Sequence, residues 1–97
     1  YIDDIVDGII ASLENKKKVK CEIYNLGNSS PVSLNEFIEI CETVVGKKAK
    51  FKQIENQLGD VPHTFANITK ANQDLNYFPK IKLQEGLTYM YNYLKNI

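Results

Sequence analysis

Asp60 is the carboxylate best placed to do chemistry in this chain of 97 residues. It sits in the run Gln57-Leu58-Gly59-Asp60-Val61-Pro62-His63-Thr64-Phe65-Ala66-Asn67. Gly59 permits a positive φ or a close approach of backbone to ligand, and Pro62 fixes φ two residues after Asp60. By residue type alone this is a rigid polar loop presenting one carboxylate, which either meets a ligand or binds nearby backbone N–H groups. Gln57 adds an amide that both donates and accepts, and Thr64 adds a hydroxyl. His63, the one histidine, is a potential general acid or base. It has no Ser, Cys or acidic partner pattern and is read as a loop histidine. Asp3 and Asp4 are adjacent on a predicted helix, where neighbours diverge by about 100°, so they do not converge on one substrate atom. They complement the helix dipole instead. Gly27 follows a predicted strand but lacks the G-x-G-x-x-G spacing of a phosphate cradle, and is read as part of a turn.

Composition narrows the partners. Twelve basic and twelve acidic residues cancel, so no global field favours nucleic acid or an anionic membrane. The basic run Lys16-Lys17-Lys18 is read as a solvated helix terminus. Cys21 and Cys41 form no C-x-x-C; two buried free thiols in a reducing cytoplasmic setting are expected. No apolar run is long enough to span a bilayer, and no signal-peptide pattern is present.

The elements that must hold these residues follow from periodicity. Ile2, Ile5, Val6, Ile9, Ile10 and Leu13 form the apolar stripe of a first helix. Gly8, in mid-helix, implies that another backbone packs closely there. Lys20 to Leu26 is a predicted strand, and Gly27 to Pro31 a turn. Ser33 and Glu36 make a capping box for a second helix, whose buried face is Leu34, Phe37, Ile38, Cys41, Val44 and Val45 and whose stop is Gly46. Lys48 to Ile54 is a second predicted strand with Phe51 on its covered side, giving a βαβ unit. Asn67 caps a third helix with Ile68, Ala71 and Leu75 inward, and Asn76 takes its left-handed end. Leu83, Leu87, Met90, Leu94 and Ile97 stripe a fourth helix. The predicted class is therefore a small mixed α/β fold: about four helices and a short two-stranded parallel sheet in one domain, 1–97.

The loop around Asp60 resembles the Q-P-G-D-V-x-x-T-x-A-D segment of the NAD-dependent sugar-nucleotide epimerase/dehydratases. It departs at Leu58, in place of Pro, and at Asn67, in place of Asp. Tyr1-Ile2-Asp3-Asp4-Ile5-Val6, Tyr24-Asn25-Leu26-Gly27-Asn28-Ser29-Ser30-Pro31-Val32 and Leu75-Asn76-Tyr77-Phe78-Pro79 resemble three further motifs of that family, in its order. The likeness spans almost the whole chain and is greatest to UDP-glucuronate (hexuronate) 4-epimerases, which belong to the extended short-chain dehydrogenase/reductase (SDR) family. It implies the C-terminal, substrate-binding part of such an enzyme, a reading that a first residue of Tyr rather than Met accords with. It also implies that Gln57, Asp60 and Thr64 contact the nucleotide, Asp60 through the ribose and Gln57 near the diphosphate.

No glycine-rich turn for a pyrophosphate is present. Tyr91 and Lys95 have the Tyr-x-x-x-Lys spacing of the family's catalytic pair, but they lie on the last helix, and no catalytic residue is assigned. The fragment is then expected to be inactive alone and to bind no cofactor itself. The NAD, the NAD-binding Rossmann domain and the UDP-sugar pocket belong to the full-length parent, and the fragment's uncovered apolar surface favours self-association. The competing reading is a free-standing α/β binding or interaction module without enzymatic activity.

Overall fold

The computed structural model describes residues 1–15, 21–60 and 63–97. Among these lie four helices: α1 (Ile2–Glu14), α2 (Leu34–Val45), α3 (Thr69–Leu75) and α4 (Leu83–Lys95). The chain forms two compact units, residues Tyr1–Ser30 with Phe65–Leu83, and Pro31–Thr64 with Gln84–Ile97. The lysine run 16–18, Lys20, Val61 and Pro62 lie outside the described residues.

The first unit is built on Ile68, Ala71, Leu75 and Tyr77, with Ala11, Tyr24, Leu26 and Ala66 packed against them. Ile68, Ala71 and Leu75 are thus the inward face of α3, as their spacing predicts. Asn67 Oδ1 accepts the Thr69 N–H (3.0 Å), and Asn76 adopts the left-handed conformation (φ 52°) that ends the helix. α1 turns the other way round from its sequence pattern. Its buried residues are Asp4 and Gly8, whereas Ile2, Val6, Ile9, Ile10 and Leu13 are exposed. Gly8 marks a close approach, but of side chains rather than backbone: those of Leu26 and Tyr77.

The predicted sheet is not formed: the described residues contain helices and no strand, so neither the α/β class nor the βαβ unit holds. A β-former makes a strand only where a neighbouring strand takes up its ladder of hydrogen bonds. Residues 21–26 are instead fastened by side chains, chiefly from α3. Lys70 pairs with Glu22 and donates to the Ile23 carbonyl (3.0 Å). Its ammonium lies 5.0 Å from the centre of the Tyr24 ring, whose hydroxyl donates to Asp74 Oδ2 (3.0 Å). The hydrogen bond to Glu22 holds the Lys70 pKa above its ordinary value, outweighing the effect of burial.

In the second unit, the Ala49 N–H in the other predicted strand donates to Glu42 Oε2 (2.8 Å). Phe51 there is 72% exposed rather than covered. Ser33 Oγ accepts the Glu36 N–H (3.1 Å) at the start of α2; the reciprocal half of the capping box is not made among the described residues. None of α2 is buried, and Leu34 and Phe37 of its predicted inner face are exposed. Cys41, Val44 and Val45 line a shallow cleft of about 140 Å³ with Leu87, Met90 and Leu94 of α4. Both cysteines are free; Cys41 is half-buried, and Cys21 is exposed rather than buried. No helix of the described residues is long and apolar enough to cross a membrane.

Gly46 ends α2 at φ 77°, donating its N–H to the Glu42 carbonyl (2.8 Å). A Cβ there meets nothing within 4 Å, so only the backbone conformation resists substitution. Gly46→Ala is expected to cost about 1 kcal/mol, read as a lower midpoint in urea with an unchanged slope.

Candidate functional site

The candidate site is a tight turn at Gln57–Asp60. The Asp60 N–H donates to the Gln57 carbonyl (3.1 Å), and the Gln57 N–H donates back to Asp60 Oδ2 (3.0 Å). Gly59, third in the turn, has φ 92°, a value that favours glycine at that position. All four residues are exposed. Gln57 and Asp60 are therefore brought together, backbone to carboxylate, leaving the Gln57 side chain and Asp60 Oδ1 directed to no partner among the described residues. Thr64 is exposed in the same unit, and no hydrogen bond joins it to the turn among the described residues. His63 is likewise exposed.

Two other positions bear on the chemistry. The Lys95 ammonium lies 4.7 Å from the centre of the Tyr91 ring, so these two side chains meet as a cation–π pair. Gly27 is not an open cradle: a Cβ built there would stand 3.1 Å from Ala66 Cβ. It accepts at its carbonyl the Tyr77 hydroxyl (2.9 Å). Burial, and then the charge of Asp4, raise the Tyr77 pKa above its ordinary value. Among the described residues no group of three or more His, Cys, Asp or Glu is disposed to hold a metal ion.

The sequence reading missed the part played by Asp4. Its carboxylate is 5% exposed and accepts the N–H groups of Lys80 and Ile81, each at 3.0 Å. Burial alone pushes its pKa up; these two bonds, with the positive charge of Lys80, act against it, and the pKa lies below the ordinary 3.8. The available signal was the pair Asp4 and Gly8, one turn apart on the face opposite the apolar stripe.

The chain is similar in sequence and fold to a segment of the NAD-dependent sugar-nucleotide epimerases, as its four motifs imply. Its relatives include an uncharacterised protein of Methanocaldococcus jannaschii, 48% identical over 87 residues (90% of this chain, 26% of the relative), and several UDP-glucuronate 4-epimerases. That of Thermodesulfobacterium geofontis is 46% identical over 96 residues, which are 98% of this chain and 29% of the relative. UDP-glucuronate 4-epimerase 6 of Arabidopsis thaliana is 38% identical over 99 residues, 90% of this chain and 22% of the relative. Among solved structures, UDP-glucuronic acid 4-epimerase from Bacillus cereus, in complex with UDP-glucuronic acid and NAD, superposes with a TM-score of 0.92 at 35% identity. That superposition covers 99% of this chain and 31% of the enzyme. The chain thus spans less than a third of the length of these relatives. No family model matches it.

Proposed function

We propose that this chain supplies the nucleotide-binding wall of an NAD-dependent UDP-sugar (hexuronate) 4-epimerase and is inactive alone. The observation that carries this reading is the overlay of nearly the whole chain on an epimerase holding both UDP-glucuronic acid and NAD. The turn at Gln57–Asp60 supports it, because an exposed segment already fixed by one backbone and one carboxylate hydrogen bond has little left to order when a ligand arrives. In this reading Asp60 accepts a ribose hydroxyl, the Gln57 amide donates to the diphosphate, and Thr64 lines the same wall. The residues present do not fit NAD. Gly27 is closed by Ala66, and the sequence has no glycine-rich strand-to-helix turn. The dinucleotide, which removes and returns a hydride in such enzymes, belongs to the remainder of a longer polypeptide.

The outward stripe of α1 fits the same arrangement. Five large apolar residues exposed on one short helix are what a second, NAD-binding domain would cover. Without that domain they favour self-association of this chain.

The test is Asp60→Ala in the complete enzyme, assayed for interconversion of UDP-glucuronate and its 4-epimer. Loss of one charged hydrogen bond is expected to raise KM for the sugar nucleotide about tenfold. An unchanged KM would remove Asp60 from the binding wall.

A further inference from the structure

We infer that Asp60 serves nucleotide recognition as a positioning residue for Gln57, and not only as a ligand contact. The inference rests on the reading that this turn meets the nucleotide. Both backbone polar groups of Gln57 are engaged by a single residue: its carbonyl by the Asp60 N–H (3.1 Å) and its N–H by Asp60 Oδ2 (3.0 Å). The turn is closed twice over, once by main chain and once by an ionised side chain. Charge-assisted hydrogen bonds of the second kind are roughly twice as strong as neutral ones.

The need for the second closure lies in the surroundings. Every residue from Phe51 to Asp60 is exposed, so no packing holds this stretch in shape. A turn in water with only one backbone hydrogen bond opens readily, because water competes for that bond. With φ of Gly59 at 92°, the turn also costs conformational entropy that a flexible glycine-containing segment must lose. The Asp60 carboxylate meets that cost before any ligand is present and sets the direction in which the Gln57 side chain leaves the backbone. One of its two oxygens is thereby partly committed. Oδ1 keeps both of its acceptor sites for a ligand hydroxyl, whereas Oδ2 keeps one beside the Gln57 N–H.

Asp60 and Gln57 then act as a unit, and their substitutions do not add. The experiment is a double-mutant cycle in the complete enzyme, with Gln57→Ala, Asp60→Ala and the pair, and Asp60→Asn as the conservative variant. KM for UDP-glucuronate and kcat are measured for each, and circular dichroism establishes that each is folded. Gln57→Ala keeps its backbone groups and so keeps the turn; Asp60→Asn keeps an oxygen that accepts the Gln57 N–H. The expected result is a KM raised about tenfold by Gln57→Ala, by at least as much by Asp60→Ala, which loses its own ligand contact as well, and in the pair no further than by Asp60→Ala alone. Asp60→Asn should recover most of the loss, and kcat should change little throughout. A pair whose KM rises by the product of the two single effects, about a hundredfold, overturns the positioning role while leaving direct nucleotide contact intact. The positioning role is equally overturned if Asp60→Ala raises KM and Gln57→Ala does not. If neither alanine variant changes KM, the nucleotide-binding reading of the turn fails instead.

Discussion

Replacing Asp4 with alanine is expected to destabilise the first unit by about 2–4 kcal/mol, because two backbone amides lose a charged acceptor together. Asp4 is buried, yet no ion pair clamps it among the described residues; its carboxylate is met by the N–H groups of Lys80 and Ile81, each 3.0 Å away. Alanine leaves both donors without their acceptor, with a void where the carboxylate stood. Asp4→Asn would be the milder change: the single amide oxygen can still serve one N–H, while the new NH2 group confronts the other. The pH dependence carries a definite sign. The folded carboxyl titrates below its ordinary 3.8, so the stabilisation is complete above the unfolded value of about 3.9. It is lost as pH falls through the lower, folded value. Urea unfolding of wild type and Asp4→Ala at pH 7 should show the full gap, and in strong acid, below the folded value, the gap should narrow. A gap that did not narrow in acid would mean that packing, not the carboxylate charge, holds residues 80 and 81.

The helices were legible because their signals are local. Ser33 before Glu36, Gly46 at a left-handed end and Asn76 after α3 each act within one turn and occupy the predicted place, whereas Asn67 bonds the Thr69 N–H from one residue before the N-cap, which is Ile68. The inward face of α3 was legible for the same reason: Ile68, Ala71 and Leu75 have no competing face. The strands were misread because β-propensity reports how a residue fits a pleated, half-buried surface, not whether a neighbour is present to pair with. Tyr24 and Ile23 look like strand residues; what fixes their segment is Lys70 and Asp74, some fifty positions later. The apolar pattern of α1 does not reveal which way the helix faces. Its apolar stripe is genuine, but the stripe faces outward, and the unit's own core takes the narrow face of Asp4 and Gly8. At the candidate site, glycine before aspartate was enough to foresee a turn, and residue types left open whether Asp60 binds backbone or ligand. Oδ2 binds backbone.

Gly8→Val tests that inverted packing most severely, with an expected cost of about 2–3 kcal/mol. On helix propensity alone the change should help, since valine is a better helix former than glycine by a few tenths of a kcal/mol. Space decides against it. Even the first added carbon would stand 2.7 and 2.9 Å from the two terminal methyls of Leu26, and 3.1 Å from Cδ2 of Tyr77. Leu26 can swing its methyls, so Gly8→Ala should be tolerated with a small change of either sign. Tyr77 cannot retreat as easily: it is 4% exposed, and its hydroxyl donates to the Gly27 carbonyl at 2.9 Å. A branched side chain must therefore push α1 away from residues 26 and 77 or displace the tyrosine ring. Near-ultraviolet circular dichroism followed through a thermal melt distinguishes these outcomes. Loss of tyrosine signal before helix melting would show the ring displaced; simultaneous loss at a lower temperature would show α1 lifted as a body. A valine variant as stable as wild type would mean that α1 does not rest on Leu26 and Tyr77 through Gly8, and that its apolar stripe, not this narrow face, is what the unit buries.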